Sequence, residues 1–136
     1  MLTLIYISTA RAPITPEMCQ HILAVSRVNN HVDSITGLLV AGQKRFLQAL
    51  EGPADAVRAA YARIAADPRH FACVVLGERT TDRRMFGAWT MGFSAGRDAG
   101  DGADLEAIVA ALVEPLDDPD MRAQFLGFAQ LQSRVA

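Results

Sequence analysis

The strands that this sequence predicts are apolar on both faces. In the N-terminal run of β-forming residues, 3–8, one alternating set contains Leu4 and Tyr6. The other set contains Ile5 and Ile7. Side chains alternate between the two faces of a strand, and a sheet with one solvated face needs only one apolar set. Something else in the chain therefore has to cover the second face of the sheet.

A helix should follow this first strand. Thr15 can cap its N-terminus, with Pro16 at the first helical position. Apolar residues then recur at helical spacing over 18–25. The pattern fades at Asn29 and Asn30, which favour a helix end or a turn. The first unit is therefore a strand followed by a helix.

Further apolar runs between turn signals complete the order βαββαββ. Gly, Pro and Asp-Pro signals separate the runs, and run length and periodicity distinguish strands from helices. The remaining elements are a hairpin of two short strands (35–41 and 46–51), a helix between Pro53 and Asp67, a strand of buried type (71–76) and an alternating strand (89–93).

Two helices crossing a mostly antiparallel sheet give a ferredoxin-like α+β layer with both helices on one face. After a linker rich in Gly, Asp and Ala over 94–102, apolar residues recur at helical spacing in 105–112 and in 121–131. We expect these two C-terminal helices to cover the other face of the sheet, or to exchange it with a second subunit. The predicted division is a domain at 1–94 and a linker with a helical extension at 95–136.

Charge and cysteine usage exclude several classes of protein. Thirteen basic and 15 acidic residues give a net charge of -2, so no broad cationic field attracts nucleic acid or anionic lipid. No apolar run approaches the roughly 18 residues of a membrane span, and the N-terminus lacks the basic segment of a signal peptide. Cys19 and Cys73 lie in apolar runs without metal-binding spacing, as buried thiols of a reducing compartment do. We expect a cytoplasmic protein without a metal site.

Two polar residues within apolar rows are the first functional candidates. Gln48 shares a strand face with Phe46 and Leu50, and Tyr6 places a hydroxyl in the middle of the first strand. A buried amide without partners costs about 1–3 kcal/mol, so neighbouring side chains or a ligand must satisfy it. Each residue taken singly also fits a satisfied core position, as Asn30 fits a helix end.

The charged residues of the second half have simple interpretations when taken one by one. Arg79, Arg83 and Arg84 fit a charged edge that discourages strand pairing. Residues 67–70 fit a solvated loop. Residues 89–91 supply apolar side chains that fit an ordinary core strand.

Several of these residues form one ordered set of motifs. The set comprises Tyr6 with Ser8, Asn29-Asn30 ahead of Ile35-Thr36-Gly37, the run Phe46-Leu47-Gln48-Ala49-Leu50-Glu51-Gly52, Asp67 with Arg69-His70, Arg84 with Phe86, and Trp89-Thr90-Met91. Over about residues 2–94 it resembles the BLUF family, the blue-light sensors that use flavin. The resemblance implies a ferredoxin-like sheet with flavin, usually FAD, held between the two helices.

The resemblance also implies a cofactor site. The isoalloxazine ring would lie between the two helices and above Ile7, Leu39 and Phe46. Asn30 would hydrogen-bond the pyrimidine edge. Many relatives carry a basic residue shortly after the asparagine, where this chain has His31, Val32 and Asp33, and an arginine where it has Thr9. These departures leave FMN and riboflavin as alternatives to FAD. The implied cofactor-binding residues are Asn30, Asn29, Ile22, Leu23, Leu39, Phe46, Arg63, Ile64, Asp67, Arg69 and His70.

Tyr6 and Gln48 match the switching pair of the family. By similarity, Tyr6 would give an electron and then a proton to the excited flavin. Gln48, rotating or tautomerising as the proton returns, would strengthen a hydrogen bond to flavin O4 and shift the absorption to the red. Trp89 and Met91 match the positions that relay this change towards the tail. The resemblance thus implies a photoreceptor rather than a turnover enzyme. The residues after 94 are too few for a catalytic domain, so we expect the output to act on a separate partner protein. The apolar stripes of the two predicted C-terminal helices favour a homo-oligomer.

Two other functions stay open at this stage. One is a small-ligand or protein-interaction module without photochemistry, which would be colourless. The other is an acylphosphatase-like hydrolase, for which residues 8–13 offer Arg11 but no glycine-rich turn. The colour of the purified protein separates these alternatives from a flavin-binding photoreceptor.

Overall fold

The computed structural model describes residues 1–86, 92–95 and 105–134. The order of its elements agrees with the predicted βαββαββ pattern followed by two helices, so the predicted fold class is confirmed. In chain order the elements are β1 (Leu2–Ala10), α1 (Pro16–Asp33), β2 (Thr36–Ala41), β3 (Arg45–Gly52), α2 (Ala54–Ala65), β4 (His70–Thr80), β5 (Gly92–Ala95), α3 (Leu105–Val113) and α4 (Pro119–Arg134).

The sheet is mostly antiparallel, with strand order β4-β1-β3-β2-β5. β1 runs antiparallel to β3 and β4, β2 runs antiparallel to β3, and β2 and β5 are parallel. In the centre of the sheet, Gln48 of β3 is the direct neighbour of Tyr6 on β1 and of Leu39 on β2. Directly opposed side chains on one face come within contact distance of each other. The register therefore brings these three side chains into one row.

Both faces of the sheet are covered, as the alternating strands require. One buried cluster joins Leu4 and Leu50 to side chains of α1 and α2. A second cluster, on the opposite face, joins Ile5 and Leu47 to side chains of α3 and α4, including Phe125. Full burial of an aliphatic or aromatic side chain contributes about 1.5–3 kcal/mol, so each layer adds substantially to stability. The C-terminal helices thus cover the second face.

Helix α1 begins where the sequence predicts and ends one turn later. Thr15 accepts a hydrogen bond from the Met18 N–H at 3.2 Å, and Pro16 is the first helical residue. The helix continues past Asn30 to Asp33, where Ser34 closes it in the left-handed conformation at φ 59°. Asn30 is buried against the sheet side of the helix, and this tertiary burial outweighs its weak helix propensity. The predicted end at Asn29 and Asn30 is therefore wrong.

The prediction of a buried strand over 71–76 is also wrong, because β4 is an edge strand. Phe71 is 43% exposed, Val74 53% and Leu76 44%. Among the residues that the structure describes, both buried clusters draw their strand residues from β1, β2 and β3 rather than from β4. Cys73 on this strand is accordingly only partly buried, whereas Cys19 on α1 is buried as predicted.

Asp118 fastens the start of α4 to the edge of the sheet. One of its carboxylate oxygens accepts the N–H groups of Asp120 at 2.9 Å and Met121 at 3.2 Å. The other oxygen accepts a hydrogen bond from the guanidinium of Arg79 on β4. Burial by itself raises the pKa of Asp118, but the Met121 N–H and the Arg79 guanidinium outweigh it and hold that pKa below its usual value. Arg79 therefore joins two elements, which the interpretation as a simple charged edge missed.

Replacing Asp118 tests this attachment. Asp118→Ala should lower the free energy of unfolding by about 1–2 kcal/mol at pH 7, because it removes a helix cap and an ion-pair partner. The folded-state pKa lies below the unfolded value of about 3.9, so this stabilisation is present above that pH and is lost as the pH falls through the folded pKa. Denaturant titrations of wild type and Asp118→Asn between pH 2 and about 7 should give a shallower acid decline in the variant. Equal slopes would contradict the assignment.

Candidate functional site

A cavity of about 270 Å³ lies between α1, α2 and the inner face of the sheet. Side chains of β1, β2 and β3 form its floor, and the two helices form its walls. Concave sites with mostly apolar walls and a few polar groups are the usual form of small-ligand sites. The lining residues are Tyr6, Ile22, Val25, Ser26, Asn29, Asn30, Leu39, Phe46, Gln48, Ala60, Arg63, Ile64, Asp67, Arg69 and His70.

Two apolar residues that the resemblance assigned to this site lie elsewhere. Ile7 faces the opposite side of the sheet and packs against the cluster under α3 and α4. Its position follows from strand alternation, because Tyr6 next to it faces the cavity. Leu23 belongs to the buried core beside the cavity and is not a lining residue. Ile22, on the neighbouring helical position, does line the cavity.

Tyr6 and Gln48 form a buried pair in the floor of the cavity. The Tyr6 hydroxyl donates a hydrogen bond to Gln48 Oε1 at 2.5 Å, and each residue is 3% exposed. Burial raises the pKa of the Tyr6 phenol far above its usual value, and the nearby Cys73 and Tyr61 raise it further. The site therefore favours the protonated phenol, whose proton points at the glutamine.

The C-terminal part of α1 brings two carboxamides to one side of the cavity. Asn30 is 5% exposed, and Asn29 beside it is exposed to solvent. The backbone holds this end of the helix in place, since the Asn30 carbonyl accepts the N–H of Ile35 at 2.8 Å. A carboxamide both donates and accepts hydrogen bonds, so this wall can match a ligand edge that carries both kinds of group.

Two arginines lie at the rim of the cavity, each beside a carboxylate. The Arg69 Nε is 3.0 Å from both carboxylate oxygens of Asp67, and the Arg69 backbone N–H also donates to Asp67 at 2.9 Å. These hydrogen bonds lower the pKa of Asp67 and raise that of Arg69. Arg63 reaches Asp33 at 3.4 Å and is more than half exposed. The rim therefore carries two guanidinium groups, of which Arg69 is held by several hydrogen bonds and Arg63 by one longer contact.

His70 lines the cavity, and both of its ring nitrogens lie within hydrogen-bond distance of other protein groups. Its Nε2 lies 2.5 Å from the Ile64 carbonyl, and its Nδ1 lies 2.8 Å from the Ser8 hydroxyl. A carbonyl oxygen can only accept, so Nε2 carries a proton. The ring meets Phe46 edge to face at 6.4 Å. His70 thus shapes the site without offering a ring nitrogen to a ligand.

Sequence reasoning missed three lining residues and one structural cluster. Val25 and Ser26 lie one turn before Asn29 and Asn30, so helical spacing alone could have found them. Ala60 lines the cavity from α2, where its small side chain leaves room. Trp89 and Met91, which the resemblance assigned to a relay, lie outside the described residues.

A buried carboxylate, Glu51, and the guanidinium of Arg84 form that structural cluster. They hold residues 84–86 at the far end of the sheet, through contacts with Thr36 and Ser34. The interpretation of Arg84 as part of a charged edge is therefore wrong. Its hydrogen-bond partners are 33 to 50 residues away in the sequence, which no local pattern reveals.

The described ranges carry neither a candidate membrane span nor a metal-binding cluster. None of their helices is both long enough and apolar enough to cross a bilayer. The same ranges contain no group of three or more His, Cys, Asp or Glu side chains that could hold a metal ion. The lining residues of the cavity offer a ligand apolar contact, carboxamide hydrogen bonds and arginine charge.

These features together define a class of protein. The chain is a ferredoxin-like α+β domain with a cavity between two helices and a sheet, and that cavity has apolar walls, two carboxamides on one side and arginines at its rim. A family model described as BLUF, sensors of blue light using FAD, matches residues 1–92. The chain belongs to this family, and it is a blue-light sensor that binds flavin.

Individual relatives agree with this membership. The photoactivated adenylate cyclase subunit beta of Euglena gracilis is 31% identical over 90 residues, which are 65% of this chain and 10% of that protein. The chain thus spans about a tenth of the length of this curated relative. The solved structure of BlrB, a BLUF protein in its dark state, aligns with a TM-score of 0.73 at 26% identity and covers 99% of this chain and 96% of that one.

A bacterial light-regulated adenylyl cyclase is also similar in structure. It aligns with a TM-score of 0.69 at 35% identity and covers 82% of this chain and 32% of the cyclase chain. The name of this relative describes an enzyme that is regulated by light. Over the matched residues, this chain resembles the photoreceptor module rather than the catalytic part.

Proposed function

We propose that this sensor binds FAD in the cavity between α1 and α2 and switches at Tyr6 and Gln48. The observation that carries the proposal is the buried 2.5 Å hydrogen bond from the Tyr6 hydroxyl to Gln48 Oε1 in the floor of that cavity. Both groups line the cavity, so a bound ring would meet the pair directly.

The lining residues fit a flavin by their chemistry. Ile22 and Ile64 on the helices, with Leu39 on the sheet, offer apolar contact to the faces of a ring. Asn29 and Asn30 offer donors and acceptors to its pyrimidine edge. FAD and FMN carry phosphate at the far end, and Arg63 and Arg69 at the rim are the groups that would attract it. FAD is our choice among the flavins because the family description names it.

The protein contributes an electron donor and a reversible hydrogen-bonding group. Bound flavin supplies the chromophore, which absorbs blue light and is a strong oxidant when excited. Tyr6 is the tyrosine of the cavity lining, and its neutral phenol can release both an electron and a proton. Gln48 carries an acceptor at one end of its amide and two donors at the other. Rotation or tautomerisation of that amide exchanges which kind of group faces the cavity.

The output of the sensor is a change in contacts with an effector. We propose that residues 1–94 sense light, and that the helices within 95–136 convey the change to a partner protein in the cytoplasm. The names of two relatives describe light-regulated cyclases, which supports signalling to an effector of some kind. A homo-oligomer and the absence of a nucleic-acid or membrane partner are part of the same proposal.

Colour and its response to light test the proposal. The purified chain should be yellow, and its flavin band should shift slightly to the red in blue light and relax in darkness. Release of the pigment by denaturation, followed by chromatography against FAD, FMN and riboflavin, identifies the flavin. A colourless protein that takes up none of these flavins would favour the interaction module instead.

The hydrolase alternative has less support. Residues 8–10 are extended strand within β1, and the Arg11 guanidinium lies 5.1 Å from the centre of the Phe71 ring. A phosphate cradle needs a turn of backbone N–H groups around the anion. Phosphatase activity in a flavin-free preparation would nevertheless restore this function.

A further inference from the structure

Glu51 is a carboxylate with no exposed surface at the end of β3. The sheet register places Thr3 and Thr36 on either side of it. Oε2 accepts the Thr3 hydroxyl at 3.4 Å and the Met85 N–H at 2.7 Å. Oε1 accepts the Thr36 hydroxyl at 3.2 Å and the Phe86 N–H at 2.9 Å. A carboxylate offers about four acceptor positions, so this one is fully used.

Arg84 makes a second attachment of the same segment. Its Nη2 donates to the Ser34 carbonyl at 2.7 Å, and its Nη1 donates to the Thr36 hydroxyl at 2.9 Å and to the Glu51 carbonyl at 3.2 Å. Arginine can only donate hydrogen bonds, so the Thr36 hydroxyl accepts one from Arg84 and donates its own to Glu51. Residues 84–86 are thereby fixed to β2, to β3 and to the residue that ends α1.

The same segment touches the C-terminal helices from its other side. Phe86 is 1% exposed, and its ring meets that of Phe125 on α4 edge to face, with 6.5 Å between ring centres. Phe125 is itself fully buried. Aromatic pairs in this arrangement contribute beyond the area that they bury, so Phe86 joins this segment to α4.

Both attachments begin on elements that carry cavity residues. Glu51 follows Gln48 by three residues on β3. The Ser34 N–H donates to the Asn30 carbonyl, so Ser34 is bonded directly to the turn that carries the carboxamide wall. A displacement of β3 or of this end of α1 must therefore be transmitted to residues 84–86 or break these hydrogen bonds.

We infer that Glu51, Arg84 and Phe86, here called the Glu51 latch, are positioning residues that connect the cavity to α4. The inference rests on the proposed switching at Tyr6 and Gln48. It adds a route by which a rearrangement in the cavity reaches α4. It differs from the relay through Trp89 and Met91, because it runs through a buried carboxylate and an aromatic contact. Spatial continuity alone does not establish coupling, so the test measures coupling directly.

The first experiment is made in darkness and needs no light response. Amide hydrogen exchange of the flavin-loaded chain in darkness, followed by NMR, should be about tenfold faster at either Met85 or Phe86 in Glu51→Gln than in wild type, because the amide replaces one of the two carboxylate oxygens. A glutamine amide presents an N–H₂ group where the carboxylate accepted, which loses a hydrogen bond to a charged acceptor. Unchanged exchange at both amides would overturn the latch.

The second experiment measures transmission in the full chain loaded with FAD. Hydrogen exchange of 119–134 is compared in darkness and under blue light for wild type and Glu51→Gln. Wild type should show a light-dependent change in α4, and the variant should lose at least about half of it while keeping the red shift. The matched control is Val57→Ala, which opens the core on the α2 side of the sheet and should leave the α4 response intact.

The outcomes separate the two proposals. Absence of a red shift in wild type rejects the proposed function itself. If wild type shows the red shift but no light-dependent change in the hydrogen exchange of α4, the latch alone is rejected. The latch is also rejected if that change is equal in wild type and Glu51→Gln. If Glu51→Gln does not fold, Phe125→Leu replaces it, because leucine keeps the site apolar and removes the aromatic contact. A full α4 response in Phe125→Leu then rejects the latch.

Discussion

Gln48→Leu keeps the yellow colour of the flavin-loaded protein and loses the red shift in blue light. Leucine has about the same size as glutamine and leaves the apolar walls of the cavity unchanged. It removes the only amide in the floor of the described cavity, and with it the acceptor of the Tyr6 hydroxyl. The group that would reverse its donor and acceptor ends is then missing, so light produces no new hydrogen-bond pattern.

The same substitution also lowers stability. Tyr6 is 3% exposed, and its hydroxyl loses the hydrogen-bond acceptor that Gln48 supplied. Leaving such a buried group unsatisfied costs about 1–3 kcal/mol. Absorption spectra in darkness and under blue light measure the shift, and denaturant unfolding measures the stability. Gln124→Leu on α4 is the matched control, because the buried Oε1 of Gln124 has no hydrogen-bond partner among the described residues. A normal red shift in Gln48→Leu would show that the switch lies elsewhere.

The alternation of residues along the strands predicted the layers of the fold, because the pleat of a strand determines which side chains share a face. Leu4 and Ile5 fall in two different buried clusters, as their adjacent positions require. The same rule gives the correct side for Ile7, which the family resemblance alone set under the ring. A local geometric rule is therefore the safer guide wherever it conflicts with a carried-over position.

Sheet order is not visible in the periodicity of one strand. The run 71–76 has the composition of a central strand, yet β4 pairs with β1 alone among the described strands and lies at the edge. Burial depends on neighbours that are distant in sequence, and hydrophobicity does not encode them. The exposed side chains of Phe71 and Val74 follow from this position.

The polar cluster around Glu51 escaped prediction for a related reason. Glu51 occupies an alternate position of a strand, where an acidic residue normally faces solvent. Its burial depends on backbone N–H groups from Met85 and Phe86, more than 30 residues later in the chain. In contrast, Tyr6 and Gln48 could be proposed as a pair because the family resemblance named both. Their positions on two strands 42 residues apart in the sequence do not by themselves show that they meet.

Tyr6→Phe should bind flavin normally and show no red shift at all. Phenylalanine keeps the ring that packs in the floor of the cavity, so the shape of the site survives. It lacks the hydroxyl, and a phenyl ring is far harder to oxidise than a phenol and has no proton to release. The group proposed to supply both electron and proton is then gone, although Gln48 remains in place.

The chain contains its own matched control, because it has two tyrosines. Tyr61 meets the Tyr6 ring edge to face with 5.3 Å between ring centres, yet it is not a lining residue of the described cavity. Tyr61→Phe removes the same hydroxyl a few ångströms further from the site and should retain a red shift of normal size. Light-minus-dark absorption spectra of both variants decide between the two rings. A red shift that survives Tyr6→Phe but disappears in Tyr61→Phe would move the electron donor to α2, since the two rings touch and either phenol could reach an oxidant through the other.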